Sequence, residues 1–341
     1  MATVFLATLH RGQSEWDLYP KRRLEESSLC DAYNKHVLTD SPNRADLIII
    51  ATNCTPHPIG LGLLAERYFR RYSRKCVLFD SGDNPSPLVG GLCASWPFPD
   101  NERAACSVGW CYHHPNAAEP HIDPHKKVLA GKYLWSFQGS SYTHPARKKL
   151  FALKDELSFT SDTSATTLPN LMGQTSMELQ AIFRNEYIQL LQDSDFILCP
   201  RGRGTSSMRI FEAMRAGRVP VIISDKWTPP PFIDWARISI RVKEDEVDKV
   251  PGLLREYQRH AREMGNRAQD EWNRVFGEEG LFHHTVEACL LLLEKRNEQN
   301  FSERIARAKY LVKKPYVQEI PRYLKNQFLR RTNSWRKPTS R

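Results

Sequence analysis

No run of apolar residues in this 341-residue chain approaches the roughly 20 needed to cross a bilayer as a helix. The longest, Leu47–Ala51 and Leu290–Leu293, are the size of a strand and of part of a helix. Met1–Leu6 lacks a basic segment ahead of a hydrophobic one, so the sequence predicts no secretory signal and a cytoplasmic setting. Internal repeats are absent, and biased composition is confined to the extreme carboxyl end, where disorder is expected. Metal-ligand pairs at familiar spacing are missing too. Cys106 and Cys111 precede His113 and His114, and His121 precedes His125, but no second CxxC or HxxxH flanks either group. Neither therefore reads as a zinc site. The eight cysteines, at 30, 54, 76, 93, 106, 111, 199 and 289, read as free thiols of a reducing compartment. Cys76 and Cys199 fall inside apolar strand patterns, where a thiol acts as a small hydrophobe.

Excess charge is also missing from most of the chain. The formal net charge is +10, yet Lys295–Arg341 holds 14 Lys and Arg against 3 Asp and Glu, leaving 35 basic and 36 acidic residues elsewhere. A nucleic-acid-binding core would show a basic face on the fold itself, so no nucleic-acid partner is expected. The basic end interleaves with aromatics such as Tyr310, Tyr323 and Trp335. It reads as a docked helix followed by a solvated segment, with contact to an anionic membrane through residues 299–341 as its functional reading.

What is present is an alternation of strand and helix patterns, twice over. Val4–Thr8, Ala45–Ala51 and Cys76–Phe79 read as strands, with a helix over Leu61–Tyr72. A loop-rich stretch from Pro87 to about Lys126 follows. A second unit starts at the strand Tyr133–Phe137 and continues with a helix over Ala146–Leu157, a strand over Leu157–Thr160 and an amphipathic helix over Met177–Leu191. After the central motif come a strand at Ile238–Val242 and helices over Asp245–Arg255, Gln258–Phe276 and Phe282–Arg296. Such alternation predicts α/β units with parallel sheets. The expected divisions are 1–127, 128–298, an extension over 299–325 and a basic tail over 326–341.

The chemistry concentrates in Phe196–Ala213. A buried strand leads into Cys199-Pro200-Arg201-Gly202-Arg203-Gly204-Thr205-Ser206-Ser207 and then a helix. Gly202 and Gly204 let the backbone approach a ligand or take positive φ. Ser206 and Ser207 can cap the helix and touch a phosphate. Arg209 sits in the first turn, where the macrodipole disfavours a cation, so it calls for an anion nearby. Glu212, three residues on, could accept hydrogen bonds from a ribose diol or simply face solvent. Met208, Phe211 and Met214 read as core, and Gly217 as the helix stop. The constellation suits a nucleoside diphosphate.

Cys199-Pro200-Arg201-Gly202, Ser207-x-Arg209-x-x-Glu212-Ala213, and Gly217-x-x-Pro220-Val221-Ile222-Ile223-x-Asp225 resemble the exostosin-type glycosyltransferases (glycosyltransferase family 47). Tyr187–Ser194, Pro230–Trp235, and Phe137-Gln138-Gly139 followed by Arg147 extend the likeness, which covers about Tyr133–Val242. The resemblance implies a GT-B fold, two Rossmann-like domains facing a cleft, with the nucleotide-sugar donor held mainly by the second. It implies sugar transfer that is inverting and metal-independent. The co-substrate is then a UDP-sugar rather than a cofactor, and the acceptor a glycan or lipid-linked glycoconjugate. Lacking the amino-terminal anchor of animal and plant members, the sequence looks like a bacterial-type form.

Such chemistry needs cations at the leaving diphosphate. Arg147 and Arg209 with Gly139 and Gly202–Gly204 are the candidates, joined by Arg201 and Arg203. Asp225 ends a strand at its carboxyl end, the usual ligand edge of a parallel sheet, and is either a donor contact or a turn cap. Trp227 is either a ring platform or core. A base must take the acceptor proton. His10, after the first strand, and Asp83, after the strand ending at Phe79, compete for that role. Two other readings stand beside this one: a non-catalytic nucleotide- or glycan-binding protein of the same fold, and an RNA-binding protein using its tail.

Overall fold

The computed structural model describes residues 1–9, 15–53, 67–83, 91–96, 107–113, 118–125, 130–153, 155–165 and 176–297. Two parallel sheets organise them. The first holds β1 (Ala2–Thr8), β2 (His36–Leu38), β3 (Leu47–Thr52), β4 (Cys76–Asp80), β5 (Gly91–Cys93) and β6 (Ser107–Gly109), in the order β2-β1-β3-β4-β5-β6. The second holds β7 (Tyr133–Gly139), β8 (Ser158–Asp162), β9 (Ser194–Pro200), β10 (Val219–Ile223) and β11 (Ile240–Val242), in the order β11-β10-β9-β7-β8. Every strand pair is parallel. Two parallel α/β units are what the expected GT-B architecture calls for.

The strands read as continuous apolar runs because both faces are covered. Leu47 and Ile49 point into one core, Ile48 and Ile50 into another. In β9, Ile197 and Cys199 join the first of these cores, whereas Phe196 and Leu198 face a third. The first core is shared: it runs from Val4 and Leu92 of the first sheet through to Phe211, Ile222 and Trp272 of the second unit.

The helices are α1 (Glu15–Leu29), α2 (Arg67–Tyr72), α3 (Pro145–Ala152), α4 (Met177–Gln192), α5 (Met208–Arg215), α6 (Val250–Tyr257), α7 (Ala261–Val275) and α8 (Leu281–Asn297). Helix α8 packs on α1 and on strands β3, β5 and β6 of the first sheet. Near its end the Arg296 guanidinium donates to Cys76 O at 2.7 Å. Gly217 has φ 67° and stops α5 in the left-handed conformation that glycine tolerates.

Three expectations change. The helix read over Ala146–Leu157 ends at Ala152, because Leu153 turns extended (φ −67°, ψ 137°). The stretch read as loop-rich supplies β5 and β6, three-residue strands too short to show a period. Met208 is only part-buried and Phe211 and Met214 alone are core. The six described cysteines are free thiols, and Cys76 and Cys199 are buried in strands. No helix among the described residues is long and apolar enough to cross a membrane. The 299–341 segment lies outside the described residues.

Candidate active site

Strand β9 delivers the chain to Pro200, and the 201–207 loop carries it to α5. Ser207 is the N-cap, extended at φ −142° and ψ 134°, but its side chain makes no capping bond. The hydroxyls of Ser206 and Ser207 are both buried and have no hydrogen-bond partner among the described residues. The buried Thr143 hydroxyl is in the same state. Leaving a buried polar group unpaired costs about 1–3 kcal/mol, so donors without partners at a helix N-terminus invite an anion.

Two guanidinium groups flank this mouth. Arg209 donates to Gln138 O through Nε at 3.0 Å and Nη2 at 2.5 Å. It also lies 5.4 Å from the Phe137 ring centroid and 6.0 Å from that of Tyr187. Arg147 is buried and donates to Arg201 O at 2.9 Å, Pro200 O at 3.2 Å and Ser140 O at 3.3 Å. Burial, then the charge of Arg209, push its pKa down to about 9. Arg147 is thus still a cation at neutral pH, but one whose surroundings disfavour the charge and would welcome an anion. A Cβ on Gly139 would stand 2.6 Å from Arg209 Nη2, and one on Gly202 3.3 Å from Arg147 Nη2. Neither glycine of the 202–204 pair is among the glycines at positive φ; both serve close approach.

The loop is also fastened to the first lobe. Thr205, fully buried, donates its backbone N–H to Ser95 Oγ at 2.8 Å and accepts the Trp96 N–H at 2.9 Å on its hydroxyl. A Cβ on Gly204 would collide with Asp83 Oδ1. Asp83 accepts a hydrogen bond from Tyr112 Oη at 2.9 Å. The structure therefore places Asp83 against the glycine loop, whereas His10 lies outside the described residues.

Glu212 is buried rather than solvated. Its Oε2 accepts from Tyr187 Oη at 2.8 Å and its Oε1 from the Ala118 N–H at 3.1 Å. Burial raises its pKa, against the pull of Arg209. The cavity beside it, lined by Arg23, Tyr112, His113, Met208 and Phe211 among others, has a volume of about 20 Å³, room for a water. A ribose contact at this carboxylate would need that cavity to widen.

Arg201 folds onto its own loop, donating to Gly204 O at 3.1 Å and Arg203 O at 3.3 Å, with Glu244 3.6 Å away. Exposed Asp225 trades hydrogen bonds with Glu244: its N–H donates to Oε1 at 3.1 Å, and its Oδ1 accepts the Glu244 N–H at 3.2 Å. The turn-cap role is thus filled. Arg203 is exposed. Trp227 is buried edge-to-face on Trp235 at 4.8 Å, so it is core.

Several participants escaped sequence reading. Glu244 gathers Arg201, Asp225 and His144, the last at 3.5 Å. Asp80, at the carboxyl end of β4, is fully buried; Oδ1 accepts from the Gly82 N–H at 2.8 Å and Oδ2 has no partner among the described residues. Burial pushes its pKa up to about 7. His113, packed edge-on to Phe79 and 3.2 Å from Cys111 Sγ, is held neutral by burial, its pKa down to about 3. For Asp80 the usable signal was its place at a strand's carboxyl end; His113 stood out only as a member of the Cys106–His114 group, and Glu244 offered no signal.

Residues 109–257 match the family described as the Exostosin GT47 domain. Exostosin-1 of Drosophila melanogaster is 34% identical over 158 residues, which are 43% of this chain and 21% of that protein. The Exostosin-1 homolog of Caenorhabditis elegans is 47% identical over 73 residues, 21% of this chain and 19% of that one. The chain thus spans about a fifth of the length of these relatives. Among solved structures, Anabaena Alr3699/HepE in complex with UDP aligns over 88% of this chain and all of its own, at 10% identity and a TM-score of 0.35.

Proposed function

Because residues 109–257 match the Exostosin GT47 domain, we propose that the chain transfers a sugar from a nucleotide-sugar donor, a UDP-sugar, to a glycan or lipid-linked acceptor. One observation carries the reading: the buried, unpartnered hydroxyls of Ser206 and Ser207 open the N-terminus of α5 beside two crowded guanidinium groups. In this reading the donor diphosphate takes those hydroxyls, Arg147 and Arg209 at the N-terminus of α5. Charge grows on the diphosphate as the glycosidic bond breaks, and pre-aimed cations and dipoles stabilise it most at that moment. No metal is assigned to the step, because these groups supply the positive charge themselves.

Asp83 is assigned as the base of an inverting transfer. It projects from the first lobe onto the glycine loop, and Tyr112 fixes its orientation. Glu212 keeps Tyr187 and the Ala118 amide in place behind Arg209, with the ribose contact as a role gained only on widening. A cytoplasmic, membrane-peripheral setting through residues 299–341 belongs to the same reading.

Titrating UDP and a panel of UDP-sugars by calorimetry, with and without acceptor glycans, tests it. Arg209→Ala is expected to lower kcat about 10²- to 10³-fold, and Ser206→Ala with Ser207→Ala to weaken UDP binding. Asp83→Asn should keep donor affinity while losing about 10²- to 10⁴-fold in rate. Nucleotide binding with no turnover on any donor would instead mark a binding protein, and RNA affinity that falls steeply with salt would mark a nucleic-acid partner.

A further inference from the structure

A second cluster of chemically capable side chains lies outside the donor site, where the edge strand β2 meets helix α8. His36 opens β2; His283, His284 and Glu287 lie on α8. Nitrogen atoms of His36 and His283 and a carboxylate oxygen of Glu287 all fall within 4.8 Å of one another. His36 Nε2 is 2.9 Å from Glu287 Oε1. Both histidines are buried, and the Nδ1 atoms of both have no hydrogen-bond partner among the described residues.

The surroundings hold the rings in place. Tyr33 stacks on His283 at 4.0 Å between centroids, and its hydroxyl lies 3.1 Å from His284 Nε2. His284 is thereby occupied and His283 is left with its nitrogens. Burial lowers the pKa of His36 and of His283, so both imidazoles are neutral at pH 7, the form that donates a lone pair to a metal. One cation already competes: Lys35 Nζ sits 2.7 Å from Glu287 Oε1, on a half-exposed side chain that can swing into solvent.

We propose that His36, His283 and Glu287 form a binding site for one imidazole-preferring divalent ion, of which Zn²⁺ is the type, joining the first sheet's edge to the helix that follows the second unit. Two imidazoles and a carboxylate are a known zinc donor set, with a fourth position left to water. The ion would take one imidazole nitrogen from each histidine and neutralise the carboxylate in place of Lys35.

The test uses the full chain, stripped with chelator, and titrates Zn²⁺ by calorimetry and Co²⁺ by visible absorption. One saturable ion per chain and a rise in Tm with Zn²⁺ are expected. His283→Phe keeps the stack on Tyr33 but loses the nitrogens, and Glu287→Gln keeps the volume but loses the charge. Each should weaken binding at least about tenfold. Lys35→Ala removes the competitor and should tighten it. Should His283→Phe fail to fold, His36→Gln replaces it in the same comparison. Absence of saturable binding in the wild type overturns the proposal. So does binding unchanged in Glu287→Gln and both histidine variants, or binding lost instead in Cys111→Ser. None of these readouts depends on sugar transfer.

Discussion

At the scale of single residues, the site depends on atoms that are absent as much as on those present. Gly139 leaves the space in which the Arg209 guanidinium rests, since a Cβ there would lie 2.6 Å from Nη2. That atom ends a flexible side chain, so Gly139→Ala displaces the guanidinium rather than breaking the strand. The expected outcome is at least a tenfold loss of UDP affinity with a stability change within about 1 kcal/mol, measured by calorimetry and urea titration. A stability loss of several kcal/mol with affinity intact would refute this. Arg209 and its loop were legible because a cation against a helix dipole, next to glycines and serines, is an unusual combination. Glu244 and Tyr187 were not, because each acquires its role from partners far along the chain: Glu244 from His144 a hundred residues back, Tyr187 from Glu212.

At the scale of elements, strands with four or more apolar residues and helices with clear periodicity could be read directly. Thus β3, β4, β7, β9 and β10 and helices α4, α7 and α8 fall close to their expected bounds. Helix α1 has no counterpart in the reading, since Pro20 sits inside it, and β2, β5 and β6 are too short to carry a pattern. Their neighbours, not their own residues, make them strands. The link between elements that matters most was equally silent: Thr205, ahead of α5, bonds to Ser95 and Trp96 beyond β5. Thr205→Val keeps the shape and strands the Trp96 amide, so a loss of about 1–3 kcal/mol is expected. Urea denaturation measures it; an unchanged midpoint would show that the latch does not contribute.

At the scale of the whole molecule, two buried groups at the first sheet's carboxyl edge oppose each other in pH. Asp80 has its pKa raised to about 7, so its stabilising contribution is complete below the unfolded value near 4 and fades as pH rises to 7. His113 has its pKa lowered to about 3; its contribution is complete above the unfolded value near 6.5 and fades as pH falls towards 3. The two slopes partly cancel in the wild type between pH 4 and 6.5. Asp80→Asn removes the falling one, so its stability should climb more steeply with pH than that of the wild type. Chemical denaturation at several pH values reads the difference, and parallel curves would contradict the assignment.

The tie between Arg296 and Cys76 O fixes where the charge-rich end of the chain sets out. Cys76 begins β4 and Asp80 ends it, roughly 13 Å off over four steps at 3.3–3.4 Å per residue, with Asp83 just beyond. Arg296, one of the fourteen Lys and Arg from residue 295 onward, therefore stands at the amino end of β4. An anionic surface that engaged Arg296 at this end would leave the carboxyl edge of the sheet, with Asp80 and Asp83, turned away from it.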